Sequence, residues 1–191
     1  DILFQNSDGR VHVWLMNGKD FVRGVPLRPT AGAWRLFTLA DFDNNGSQDF
    51  IWQNLDDRRV AIWYMNGTNF MSGAQLPKLT KNLFVVGAGD FNHDGQRDLI
   101  IQDFSNGTVR ARLLNGINLI RDTTFVRPTG LGFSPDLRVV GTMDMDGDGE
   151  PDLLVRHTSG EVFVWFLNGT TITHTKSIVP PNPLWNVVGH R

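Results

Sequence analysis

The sequence predicts an all-β fold: a β-propeller of four blades, each of four antiparallel strands. An acidic loop occurs three times, at 41–49, 90–98 and 144–152, each time followed by an apolar run. An alternating strand that ends in Asn-Gly occurs four times, at 11–18, 60–67, 109–116 and 162–169. The last Asp of the loop stands at 49, 98 and 152 and is echoed by Asp1, giving spacings of 48, 49 and 54 residues. A fixed period of this size marks a propeller blade rather than a single irregular domain.

The chain opens on Asp1-Ile2-Leu3-Phe4-Gln5-Asn6, the pattern that follows each loop elsewhere, so Asp1 reads as the end of a fourth loop. Ser7-Asp8-Gly9, Ser105-Asn106-Gly107 and Thr158-Ser159-Gly160 then mark a first hairpin, because Gly, Asn, Asp and Ser satisfy turn geometry locally. Asn-Gly after an alternating run predicts a second hairpin through a type I′ turn. The third unit reads as strands over 83–88, 99–102, 109–114 and 118–125. Extra residues before the last unit fall in Arg127-Pro128-Thr129-Gly130-Leu131-Gly132, an inter-blade insertion. Val187-Val188-Gly189 matches Val85-Val86-Gly87 and Val139-Val140-Gly141, so a C-terminal strand is expected to complete the first blade. The expected blades are 1–30 plus 184–191, 31–80, 81–130 and 131–183, in one domain. A ring closed by one chain leaves no exposed sheet edge. Half of an eight-bladed dimer and a piece of a larger propeller are the alternatives, so monomer and homodimer both stand open.

Composition narrows the function classes. The chain has 191 residues, 40% of them hydrophobic, enough for a sizeable core. With no Cys, thiolate metal sites, thiol catalysis and disulfides are excluded. A formal charge of −2 offers no electrostatic footprint for nucleic acid. The apolar runs are strand-sized, far below the ~20 residues of a membrane helix, so no membrane insertion is expected. The chain begins at Asp1 without a basic-then-apolar leader, as a processed or trimmed product would.

The chemistry lies in the acidic loops. A hard cation such as Ca²⁺ takes six to eight oxygens, and a tight loop offers side chains at positions 1, 3 and 5, a carbonyl at 7 and a closing carboxylate. An EF-hand needs a bidentate Glu at position 12, but Trp52, Ile101 and Val155 stand there and strands flank the loops, so that motif is rejected. The loops place ten Asp at ligand positions, half of the chain's 20 acidic residues, and these repel one another without a cation.

Asp41-Phe42-Asp43-Asn44-Asn45-Gly46 and, most fully, Gly87-Ala88-Gly89-Asp90-Phe91-Asn92-His93-Asp94-Gly95-Gln96-Arg97-Asp98-Leu99 resemble the FG-GAP or VCBS-type repeats, which also build the propeller of integrin α-subunits. The resemblance implies a propeller with structural Ca²⁺ between the first two strands of a blade. Carried over by position, the ligands would be Asp41, Asp43, Asn45, the Ser47 carbonyl and Asp49; Asp90, Asn92, Asp94, the Gln96 carbonyl and Asp98; and Asp144, Asp146, Asp148, the Glu150 carbonyl and Asp152. That makes three Ca²⁺ sites, with none complete at Asp1. Propellers of this type commonly have seven blades, more than the four expected here.

Trp14, Trp63 and Trp165 share one repeat position, and Arg112 takes it in the remaining blade. Repeated indoles either fill the wedge between blades or stack on sugar rings. Arg112 either opens an inter-blade pocket or pairs with an acid. The five His share no metal-like spacing, and no Ser/His/Asp set or phosphate-cradling loop stands out, so no enzyme is expected. The functional expectation is a calcium-stabilised, secreted or cell-surface binding module whose partner is a glycan or glycoprotein, with protein adhesion or oligomerisation as the alternative.

Overall fold

In a computed structural model of the chain, residues 1–30 and 32–180 are described. They form fifteen strands and no helix, so no helix here is long and apolar enough to cross a membrane. The first sheet holds β1 (Ile2–Gln5), β2 (Val11–Asn17) and β3 (Asp20–Pro26). The second holds β4 (Trp34–Ala40), β5 (Asp49–Asn54), β6 (Val60–Asn66) and β7 (Asn69–Leu76). The third holds β8 (Leu83–Gly89), β9 (Asp98–Asp103), β10 (Val109–Asn115) and β11 (Asn118–Thr124), and the fourth holds β12 (Leu137–Met143), β13 (Asp152–His157), β14 (Val162–Asn168) and β15 (Thr171–Val179). Each sheet is an antiparallel meander in chain order, the blade of a β-propeller. The closing strand expected over 184–191 lies outside the described residues.

Alternation within the strands decides the packing. Val60 and Ile62 point to one face of their blade and Trp63 to the other. Three apolar clusters result, one per junction between consecutive blades. Val11, Leu3 and Leu27 of the first blade meet Phe50, Trp52 and Met65 of the second. Ile51, Val60, Ile62 and Leu76 meet Val85, Leu99, Ile101 and Leu114. Ile100, Val109, Ala111 and Phe125 meet Val139, Leu153, Val155 and Trp165. The face of the first blade turned away from the second leaves Ile2, Phe4, Trp14 and Phe21 exposed among the described residues.

The Asn-Gly hairpins differ from the expected turn. Asn17 pairs with Asp20, Asn66 with Asn69, Asn115 with Asn118 and Asn168 with Thr171, so Asn ends the strand and Gly is the first loop residue. Only that Gly has positive φ, +59° at Gly18 and +55° at Gly169, which is the sign pattern of a II′ rather than a I′ turn. The left-handed conformation falls on the residue without a Cβ, where it costs least.

A repeated glutamine staples the blades together. Gln53 Nε2 donates to Leu83 O at 2.9 Å and its Oε1 accepts from Val85 N at 3.1 Å. Gln102 does the same with Leu137 O and Val139 N, and Gln5 with Trp34 O and Leu36 N. Gln53 and Gln102 are fully buried, so each clamp satisfies backbone groups that no strand partner reaches. Gln102→Leu is expected to lower stability by about 2–4 kcal/mol, since two buried groups lose their partners; urea denaturation reads the change, and an unaltered midpoint would refute the clamp.

Candidate metal centres

Each acidic loop joins the first strand of a blade to the second, and its backbone is bent by two left-handed residues. Asn44, His93 and Gly147 occupy the fourth position at φ +57°, +59° and +84°, and Gly46, Gly95 and Gly149 the sixth at +84°, +79° and +90°. This bending turns the side chains at positions 1, 3 and 5 inward. The first Asp accepts from the Gly at position 6 in every loop: Gly46 N to Asp41 Oδ2 at 2.8 Å, Gly95 N to Asp90 Oδ2 at 2.9 Å and Gly149 N to Asp144 Oδ2 at 3.0 Å. Position 3 accepts from position 5, with Asn45 N to Asp43, Asp94 N to Asn92 and Asp148 N to Asp146 all at 3.2 Å. Position 5 in turn accepts from Ser47, Gln96 and Glu150 N.

The closing Asp lies in the core end of the loop. Asp49, Asp98 and Asp152 are essentially inaccessible to solvent. Each carboxylate ties the loop to a strand: Oδ2 accepts from Phe42, Phe91 or Met145 N, and Oδ1 from Met65, Leu114 or Leu167 N, at 2.8 to 2.9 Å. Asp1 Oδ1 accepts from Met16 N at 2.8 Å in the same way, which places Asp1 at the closing position of the first blade.

The carboxylates converge. Ligand atoms of Asp41, Asp43 and Asp49 lie within 4.8 Å of one another, as do those of Asp144, Asp146 and Asp152. In the third blade Asn92 stands where these loops have Asp43 and Asp146, while the hydrogen-bond pattern of the loop is unchanged. Burial pushes the Asp98 carboxyl up to about 6, and the Asp94 and Asp90 charges push the same way against the two backbone N–H donors. Burial raises Asp49 and Asp152 likewise. An acid whose folded pKa is raised holds its proton more tightly folded than unfolded, so its contribution to stability is lost as pH rises from the usual value to the folded one. The metal-free protein is therefore expected to melt at lower temperature at pH 7 than at pH 5. A calcium-loaded sample should lack this fall, because a bound cation favours the ionised carboxylates; parallel melts at the two pH values check both arms.

The three loops share one end of the molecule. Asn44 Nδ2 donates to Gly95 O at 3.4 Å, and His93 Nε2 lies 2.6 Å from Glu150 Oε1. The Glu150 side chain also accepts from Gly169 N, and Ser47 Oγ accepts from Gly67 N, so the side chains at position 7 brace the neighbouring hairpin. Residues 41–101 match the family model of the FG-GAP-like repeat. Over that span the chain is similar to an FG-GAP-like repeat. That match spans the first acidic loop, β5 to β7 of the second blade, and the third blade from β8 through its own loop into β9. No curated protein matches the chain. A solved structure of a protein of unknown function from Bacteroides caccae is similar over 91% of this chain, at 12% identity and a TM-score of 0.48. The chain spans 59% of the length of that protein.

The four residues at the repeated Trp position have different surroundings. Trp165 is 2% exposed and packs beside Phe133, which follows the insertion, with ring centres 6.1 Å apart. Arg112 is buried and pairs with an acid: Nε and Nη2 each donate to Asp122 at 2.8 Å, while Nη1 donates to Pro77 O. Trp63 is half-buried beside Trp52 and Phe70. Trp14 is 43% exposed between Phe4 and Phe21. The glutamine clamps were not anticipated from the sequence, although their signal is there: Gln5, Gln53 and Gln102 all follow the closing Asp by four positions, where the last blade has Arg156.

Proposed function

We propose that this chain is a calcium-stabilised binding module of a secreted or cell-surface protein, with carbohydrate or glycoprotein as its partner. FG-GAP propellers are generally non-catalytic binding folds, and the coarse reading as a binding module rests on that match. The observation that carries the calcium reading is the convergence of three carboxylates in each of two loops, with a fully buried Asp at the base. Such a cluster of hard oxygens suits Ca²⁺, which accepts flexible geometry, better than a softer metal. The ligands would be Asp41, Asp43, Asn45, the Ser47 carbonyl and Asp49, with their counterparts in the other two loops. The cation would neutralise the carboxylates and hold each loop to its blade. Loops without a bidentate Glu suit the calcium of an extracellular medium, where affinities of about 10⁻⁴–10⁻³ M suffice.

The carbohydrate reading is supported by indoles left partly open to solvent, at Trp14 and Trp63. A glycan array probed with calcium-loaded and metal-free protein tests it: selective, calcium-dependent binding is expected, and a silent array refutes it. The exposed face of Ile2, Phe4, Trp14 and Phe21 favours protein adhesion or self-association as the second reading. Light scattering separates these, because self-association raises the mass above 21.5 kDa.

A further inference from the structure

We infer that the indole-lined cavity between the first and second blades, at Arg28 and Trp63, is a subsite for an acidic sugar residue; this deepens the carbohydrate reading above and rests on it. The cavity measures about 360 Å³, and its lining includes Arg28, Thr30, Trp34, Trp52, Trp63 and Gly73. That volume falls in the range of small-ligand pockets.

The repeat itself supplies the control. The other two blade junctions have the same wedge, and both are filled. Across from Arg112 stands Asp122, and their ion pair occupies the wedge before the third blade. Before the fourth blade, Leu131 of the insertion and Phe133 just after it pack against the core that holds Trp165. Across from Trp63 stands Gly73, which has no side chain to offer. Two further indoles then surround the gap where the other blades are aliphatic: Trp34 stands in the place of Leu83 and Leu137, and Trp52 in the place of Ile101 and Val155. Packing alone asks for neither.

The polar groups are donors. Trp52 is 1% exposed, and its indole N–H has no acceptor among the described residues. A buried donor without an acceptor is rare and calls for a partner. The Arg28 guanidinium lies 5.2 Å over the Phe70 ring and 6.0 Å over that of Trp63, and no carboxylate forms an ion pair with it among the described residues. No Asp or Glu lines the cavity. Aromatic walls suit the C–H faces of a pyranose ring, and a guanidinium at the mouth suits a carboxylate, which it can grip with two N–H groups. A uronic acid carries both features in one ring.

The test titrates the whole chain, calcium-loaded, with cellobiouronic acid and with cellobiose, which differ only in the carboxylate; indole fluorescence and calorimetry give the Kd. Cellobiouronic acid is expected to bind at least about tenfold tighter than cellobiose. Gly73→Leu should abolish that binding, because the new side chain fills the cavity. An added Cβ there meets nothing closer than 3.5 Å and Gly73 has no positive φ, so the variant should fold, as its melt will show. Arg28→Gln should bring the two sugars to equal affinity. Equal affinity in the unaltered protein overturns the acidic assignment, and no response to either sugar up to about 10 mM overturns the subsite. Cellobiouronic acid binding that survives Gly73→Leu also overturns it while leaving the carbohydrate reading intact. The glycan array judges that broader reading separately.

Discussion

Chelation by excess EDTA is expected to lower the melting temperature by about 10–30 °C relative to protein in 10 mM calcium. The figure follows from mass action. A ligand that binds only the folded state adds RT ln(1 + [L]/Kd), which is about 1.4 to 2.7 kcal/mol per site at about 10 to 100 times Kd. Extracellular calcium modules have Kd values of about 10⁻⁴–10⁻³ M, which sets that range at 10 mM. Three loops together then contribute about 4–8 kcal/mol, and in a domain of this size each kcal/mol moves the midpoint by about 2–4 °C. The molecular origin is the set of carboxylates gathered around Asp49, Asp98 and Asp152, whose buried ends cannot be relieved by water. Calorimetric titration of the metal-free protein should give three calcium ions per chain. A melt unmoved by EDTA would falsify the metal assignment for all three loops at once.

Replacing a closing Asp, such as Asp98, should have a larger effect than replacing any other position of its loop. Its two oxygens accept from Phe91 N and Leu114 N at 2.9 and 2.8 Å, and the residue is fully buried, so Asp98→Ala leaves two buried N–H groups without acceptors. Each costs about 1–3 kcal/mol, giving about 2–6 kcal/mol before any calcium is counted. Against a typical total of about 5–15 kcal/mol, that brings the fold near its limit. Asp98→Asn keeps one acceptor oxygen and should lose less. Asp90→Ala frees loop donors at Asp94 and Gly95 that are exposed to water, so its cost in metal-free protein should be small. Urea denaturation of the three variants without metal gives the order. Equal midpoints for Asp98→Ala and the unaltered chain would show that the closing carboxylate does not anchor the loop. Calcium stoichiometry should fall from three to two in both Ala variants.

The strand plan was legible because its signals are local. Loops of Asp, Asn and Gly, alternating apolar residues and terminal Asn-Gly pairs act within a few positions, and the expected strands over 99–102 and 109–114 lie inside β9 and β10. The hairpin turn type was misread because Asn-Gly alone does not say whether Asn ends the strand or enters the loop. The cross-strand pair Asn17 with Asp20 decides that, through a bulge between Leu15 and Met16. The closing Asp was legible as part of the loop, but its grip on Met65, Leu114 or Leu167 was not, since those residues lie on a different strand.

By itself the sequence determined the repeat, the number of blade units in this chain, the chemistry of the acidic loops and the positions at which oxygen ligands can gather. Each of these depends on residues close together in the chain, where spacing and backbone preference are enough. Only the tertiary structure decided how the wedges between blades are filled. Trp14, Trp63, Trp165 and Arg112 hold one repeat position, yet one is exposed, one borders a cavity, one is sealed and one is bound to Asp122. The difference comes from what the opposite strand and the inter-blade segment bring to each: Gly73, Asp122, or Phe133 beside the insertion. Close packing leaves a cavity wherever these distant partners are too small, and no local pattern records their size.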